Sequence, residues 1–449
     1  MASTRLTRAY GTGVTGNRNK WTISGWYKLD KGSVSSGERT LFSVYSNGNY
    51  FTSLAFYDDG RINFFDYYNG GINGRVRTNA LQRDVNGWYH IVGVWDKDNS
   101  TSGDRIRLWV NGVRITGSLA QYETMPSNAS TLNSDDQTLE VGAMNSTSYF
   151  GGIMTHLHFC DGYAYDASSF GSTDATTGEW KINTSPNVSY GTQGWFWLKD
   201  NIATTDNSPN SNTFTVSSGT LTKTESNPSN IFATLNPLAS LPNTGVSTFT
   251  NGNTTSQGTN GSYVNGGSTL MMSSGKWYAE MKYVASSADS RCIVGITKDV
   301  SEISRINQDA GSNNTLYRSN NGNKNIQGSE TSYGASYTTG DIIGIALDLD
   351  NNRLFFSKNG TWQDSGDPTS STGAITGFTA PASTVNGGYF FFSGSDSNAQ
   401  NNTVSWNFGN GYFGTTAVSS AGTNASNNGI FEYDVPAGYT ALSTKGLNL

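Results

Sequence analysis

Two antiparallel β-sandwiches in series are what this 449-residue sequence predicts, and three features predict them. Apolar and aromatic side chains alternate over short runs, the period of a strand with one face in a core. Asn-Gly and similar corners separate many of the runs and supply the positive φ angles of tight hairpins. The 53 glycines, 23 tyrosines, 21 phenylalanines and 11 tryptophans stand beside only 14% charged residues. That mixture suits strands and turns, and no long 3.6-residue apolar period marks a helix. Aromatic residues recur through most of the chain, which excludes a disordered one, and its length predicts two or three domains.

The first run is Trp21-Thr22-Ile23-Ser24-Gly25-Trp26-Tyr27-Lys28-Leu29. Thr40 to Tyr45, Phe51 to Tyr57 and Arg61 to Asp66 follow, parted by Asn47-Gly48 and Asp58-Asp59-Gly60. Gly87 to Asp96 comes next, then Arg105 to Val110, which turns at Asn111-Gly112 into Val113-Arg114-Ile115. Pairing across that corner sets Val110 opposite Val113 and Leu108 opposite Ile115. The apolar residues then share one face, and Arg105, Arg107, Trp109 and Arg114 the other. Six or more strands at this spacing indicate a sandwich. The order is similar to that of the LamG-like, concanavalin-type jelly roll. The resemblance rests on Trp26, on Trp88-Tyr89-His90 before Val94-Trp95, on Leu108 to Gly112, and on Tyr149 to Ile153 leading into His156 to Phe159 and Tyr163 to Phe170. It assigns residues 1–180 to this jelly roll.

In the C-terminal half, Ile343, Ile345, Leu347 and Leu349 alternate along one face, Asn351-Asn352 forms a two-residue turn, Leu354 to Phe356 run back, and Asn359-Gly360 turns the chain again before Trp362. This pattern resembles the signature strand pair of a SPRY domain, a β-sandwich interaction module. Gly275 to Met281, Cys292 to Ile296, Gly388 to Phe392 and Val404 to Gly409 complete the SPRY-like order. The domain and its tail take residues 241–449, with a packed connector over 181–240. Asn243 to Gly267 reads as loop and edge strand. The connector segment Asn227 to Leu238 and the tail Phe431 to Leu442 resemble segments of marine bacteriophage virion proteins.

Net charge is −6 with a pI near 5.1, and no Lys/Arg cluster is visible. A duplex-binding protein needs a basic face, so nucleic acid is excluded as a partner. Cys160 and Cys292, far apart, read as two buried free thiols. The start lacks a secretory apolar run, and no stretch approaches the roughly 20 apolar residues of a membrane span. The expectation is synthesis in a host cytoplasm without membrane insertion.

Each candidate for chemistry has a plain alternative. His156 and His158, two apart in a strand, are expected to share a side, where a metal would need a third ligand such as Asp161; half-buried strand histidines are the simpler reading, and His90 is the remaining imidazole. Retaining jelly-roll glycosidases need two acids about 5 Å apart on one strand face, and that pattern is missing. Asp348 fits a structural place in the SPRY-like strand, and Asp350 an ion pair with Arg353 at the hairpin end. Calcium is the cofactor left open, through Asp96, Asp98 and Asn99 or through Asp135, Asp136 and Glu140, against solvated turns. Tyr67, Tyr68, Trp195 and Trp197 form the candidate aromatic binding surface, for sugar stacking or subunit contact, against core packing. No Gly-x-Ser-x-Gly elbow or phosphate loop appears.

The resemblances imply a non-enzymatic bacteriophage virion structural protein, decorating a capsid or forming part of an appendage, with other virion subunits and a host cell-surface glycan as partners and homo-oligomers on the particle. The lack of a fibre shaft favours a compact protein attached through a sandwich face or its C-terminal tail. A glycan-binding adhesin is the alternative, and a polysaccharide hydrolase the third reading.

Overall fold

A computed structural model describes residues 4–11, 13, 16–30, 37–134, 137–199, 205–238, 248–258, 265–285, 292–298, 314–380, 387–395 and 402–448. Among them the regular structure is strands and short 3-10 turns, with no α-helix. Two compact units divide between Lys223 and Thr224. The stretch 181–223 therefore belongs with the first sandwich, and 224–238 with the second.

In the first unit one sheet runs, in spatial order, Ala120–Tyr122, Gly71–Thr78, Ile62–Tyr68, Tyr50–Tyr57, Glu38–Asn47, Thr138–Val141, Arg5–Ala9 and Thr215–Ser218. The facing sheet runs Trp195–Trp197, Gly152–Asp161, Lys20–Leu29, Tyr89–Asp96, Ile106–Val110 and Val113–Arg114. Every pairing is antiparallel. Residues alternate across each sheet, so Trp21, Ile23, Tyr27, Phe42, Leu54, Phe64, Ile91, Trp95, Leu108 and Phe159 meet in one core. Stacked Trp21 and Trp95, 6.2 Å apart, lie at its centre. The Asn111-Gly112 corner forms as the sequence indicates, with φ of 47° and 77° and Val110 opposite Val113. Arg107 and Arg114 lie over Trp109 on the opposite face, 5.9 and 5.8 Å from its ring.

In the second unit one sheet runs Thr248–Thr250, Thr255–Gln257, Thr403–Asn407, Lys276–Ala285, Ile342–Asp348, Arg353–Lys358 and Thr361–Trp362. Thr440–Ala441 pairs parallel with the start of Lys276–Ala285. The second sheet runs Asn265–Gly267, Phe390–Ser395, Cys292–Thr297, Asn314–Arg318, Asn323–Ile326 and Ser329–Ser332. Asn359-Gly360 turns as expected, both residues left-handed and Lys358 opposite Thr361. The preceding corner departs from expectation. Asp348 pairs with Arg353, so the loop has four residues, with Asn352 alone left-handed at 54°. Asp348 closes it by accepting hydrogen bonds from the backbone and side-chain amides of Asn351 at 3.0 and 2.8 Å. That side-chain lock outcompetes the two-residue turn. Cys160 and Cys292 are buried and not joined in a disulfide, one in each unit.

The C-terminal tail folds back on its own sandwich. Phe431, Val435, Tyr439 and Ala441 pack with Phe232, Tyr278, Ala346 and Phe355 against the outer face of the sheet that contains Lys276–Ala285. A tail bound this way is part of the domain.

Candidate binding surface

The outer face of the first unit's eight-stranded sheet carries an aromatic strip. Along Ile62–Tyr68, Ile62 and Phe64 enter the core, so Asn63, Phe65 and Tyr67 point away from it. Tyr67 stacks on Phe51 of the neighbouring strand with centroids 4.7 Å apart. Phe51 meets Tyr45 at 5.9 Å and Phe65 edge-on at 5.6 Å. Tyr45, Phe51 and Tyr67 are half-buried, and Phe65 is buried beneath them. The Arg75 guanidinium lies 5.9 Å from the Phe65 ring and bonds Asn63 and Glu123 at 3.0 and 2.7 Å. Arg77 covers Tyr57 and pairs with Asp59. The strip thus runs from stacked rings into a mixed-charge polar field. Tyr68 does not join Tyr67 in one platform, because adjacent strand residues face opposite sides; it packs edge-on against Tyr50 at 5.3 Å.

The other two predicted surface aromatics are corrected. Trp195 and Trp197 are both 0% exposed and belong to the core, packed on Phe214 at 5.1 and 5.2 Å. Their strand pairs with Gly152–Asp161, Trp195 opposite Phe159 and Trp197 opposite Leu157, so both indoles take the inward side. Phe196 takes the outward one. The Trp-Phe-Trp alternation names two faces without saying which is the core.

The histidines are structural. His156 has φ of 50° and lies in a register shift between Thr155 and His158. Both rings still reach Phe196, His156 at 5.7 Å and His158 at 4.0 Å, so the two share a side as expected. His158 is buried, stacks on Phe196 at 4.0 Å and bonds the Tyr190 hydroxyl through Nδ1 at 2.9 Å. Burial, and then the charges of His156 and His90, push its pKa well below the usual range. His90 lies between Trp26 and Trp180, with centroids at 4.8 and 5.9 Å. The Trp180 indole donates to Nδ1 at 2.9 Å, so Nε2 carries the proton and donates to Ser24 Oγ. Burial lowers the His90 pKa to about 3.

Asp96 is buried and answered by Lys20 at 3.5 Å, Arg107 at 3.3 Å and the Asn99 side chain at 3.1 Å. Asp98 is exposed, bonded by Lys97 and Asn19. Glu140 pairs with Arg5. Asp135 and Asp136 lie outside the described residues. Among the described residues no three His, Cys, Asp or Glu side chains gather as a metal site. Asp161 is enclosed by Asn17, Asn133, Thr192 and Gln193. Asp348 is buried against Lys276 at 3.3 Å, and Asp350 accepts from the Gly275 amide in place of the expected pair with Arg353.

Glu280 is the polar residue that the sequence reading missed. It is fully buried under the tail and accepts from Tyr278 Oη, Asn407 Nδ2 and the backbone amides of Glu432 and Tyr433 at 2.9–3.2 Å. Burial raises its pKa to about 7 against the pull of those four donors. Two of the donors come from 152 and 153 residues downstream, beyond any local pattern.

Residues 9–168 match the family described as the concanavalin A-like lectin/glucanases superfamily (Laminin_G_3), and residues 276–388 match the SPRY domain family. The chain carries a concanavalin-like domain toward its N-terminus and a SPRY domain toward its C-terminus. No curated protein matches it. Among solved structures, the SPRY domain of human HERC1 is 18% identical over 34% of this chain and 87% of that one, with a TM-score of 0.27. The heptameric SAP-like pentraxin of Limulus polyphemus is 16% identical over 44% of this chain and 86% of that one, with a TM-score of 0.29.

Proposed function

We propose that this chain is a non-enzymatic binding protein that serves as a structural component of a bacteriophage particle. Both domains are of kinds that suggest binding modules. The observation that carries the reading is the strip of Tyr45, Phe51 and Tyr67, which presents partly exposed aromatic edges across three adjacent strands. Such rings provide contact area at small entropic cost. Of the acids nearest to a catalytic pattern, Asp348 closes a hairpin loop and Asp350 accepts from the Gly275 amide. The assignment to a virion rests on the connector and tail segments resembling marine phage virion proteins, and its partners are then neighbouring subunits. Quantitative protein analysis and labelled imaging of purified particles test it. Recovery in fixed stoichiometry is expected; absence from particles, or release of reducing ends from host envelope polymers by the pure protein, contradicts it. Host-glycan adhesion is the alternative that the same strip serves. It predicts glycan-array binding that Tyr67→Ala abolishes.

A further inference from the structure

We infer an oxyanion-binding site on the outer side of the first unit's six-stranded sheet, formed by the Lys28 ammonium and the Trp88 indole N–H. The strand Lys20–Leu29 sends Tyr27 and Leu29 into the core, so Lys28 points the other way, on the side where Trp26 stacks on His90. On the neighbouring strand Tyr27 is paired with Tyr89, also a core residue, and the next residues in line are Lys28 and Trp88. Trp88 alternates with Tyr89 and therefore shares the side of His90 and Lys28.

Both side chains are buried, at 2% and 6% exposure, and neither Lys28 Nζ nor Trp88 Nε1 has a hydrogen-bond partner. An ammonium removed from water without an acceptor is among the costliest features a fold can hold, and an orphaned indole N–H adds to it. Asp84 is the acidic side chain whose charge acts on Lys28, and it makes no hydrogen bond or ion pair with it; burial still lowers the lysine's pKa to about 8. Two buried donors, one on a strand and one at the residue just before the neighbouring strand, the first of them cationic, match a carboxylate or sulfate oxyanion, which brings charge and several acceptor lone pairs together. Asn86 Oδ1, two residues before Trp88, is a buried acceptor without a partner. It would suit a hydroxyl carried by the same ligand, as in an acidic sugar.

Thermal unfolding of the full chain in sodium acetate, sodium sulfate and sodium chloride at matched ionic strength tests the site. Acetate or sulfate is expected to raise the midpoint by roughly 2–4 °C over chloride. Response to acetate alone indicates a planar carboxylate ligand, and response to sulfate alone a tetrahedral one. Lys28→Met removes the charge at similar length and should abolish the response while leaving the chloride midpoint equal or higher. Trp88→Phe keeps the ring, removes the N–H and should weaken the response. Equal midpoints in all three salts, or an undiminished oxyanion response in Lys28→Met, overturn the site. If Lys28→Met fails to fold, the salt comparison and Trp88→Phe decide.

Discussion

Each sandwich closes one outer face with its own chain, and the two closures use opposite chemistry. In the first unit residues 162–192 cover the six-stranded sheet, where Ala167, Phe170 and Trp180 pack on Val92, Val94, Trp109 and Cys160. The polar centres beneath that layer are the neutral imidazoles His90 and His158. In the second unit the tail around Phe431 to Ala441 covers the sheet and is pinned through Glu280. Burial disfavours the charged form of each group, which lowers the pKa of the histidines and raises that of the glutamate. The same physical pressure therefore gives the two covers opposite responses to pH.

Among substitutions, the largest effect that would break this comparison is expected from Glu280→Ala. It leaves two backbone amides, the Tyr278 hydroxyl and the Asn407 amide without their acceptor, and should destabilise the second unit by about 4 kcal/mol in denaturant unfolding, leaving the first unit unchanged.

A pH series tests the same two groups without substitution. The folded pKa of Glu280, about 7, lies above its ordinary value of 4.5. Its contribution is complete below pH 4.5 and is lost as pH rises through 7, a total of about 3 kcal/mol. In Glu280→Gln that slope should vanish, although the amide must place a donor against one of the donors it meets. His90 runs the other way. Its folded pKa of about 3 lies below the ordinary 6.5. The unfolded chain takes up the proton first, so stability is full above pH 6.5 and falls by about 1.4 kcal/mol for each unit of acidification toward pH 3.

His90→Phe should keep the stack between Trp26 and Trp180 yet leave the Trp180 indole without its acceptor. A loss of about 1–2 kcal/mol is expected, with the acid sensitivity of the first unit reduced. The smallest stability effect belongs to the open face. Tyr67→Ala removes a half-buried ring from a surface strip and should cost below about 1 kcal/mol, so any loss of binding reports recognition rather than unfolding.

Much of the fold was legible because alternation and left-handed corners are local. Val110 opposite Val113 follows from Asn111-Gly112, and Lys358 opposite Thr361 from Asn359-Gly360. The faces were less legible. The alternation around Trp195 and Trp197 was visible, but their inward direction depends on pairing with Leu157 and Phe159, some forty residues earlier. The His156 irregularity and the four-residue loop at Asn352 are side-chain and backbone choices that a hydrophobic pattern does not encode. Glu280 resembled any charged strand residue until the tail supplied its donors. Of the candidate binding surface, Tyr67 was found from its place beside Asn69-Gly70, whereas Phe51 and Tyr45 needed the sheet to bring them alongside.

Hydrogen exchange of the whole protein at pH 5 and pH 8, corrected for intrinsic rates, tests the paired closures most directly. Protection of residues 430–441 should be greater at pH 5, and protection of residues 162–192 greater at pH 8. Covers that change in the same direction, or a tail whose protection ignores pH in both wild type and Glu280→Gln, would contradict the account.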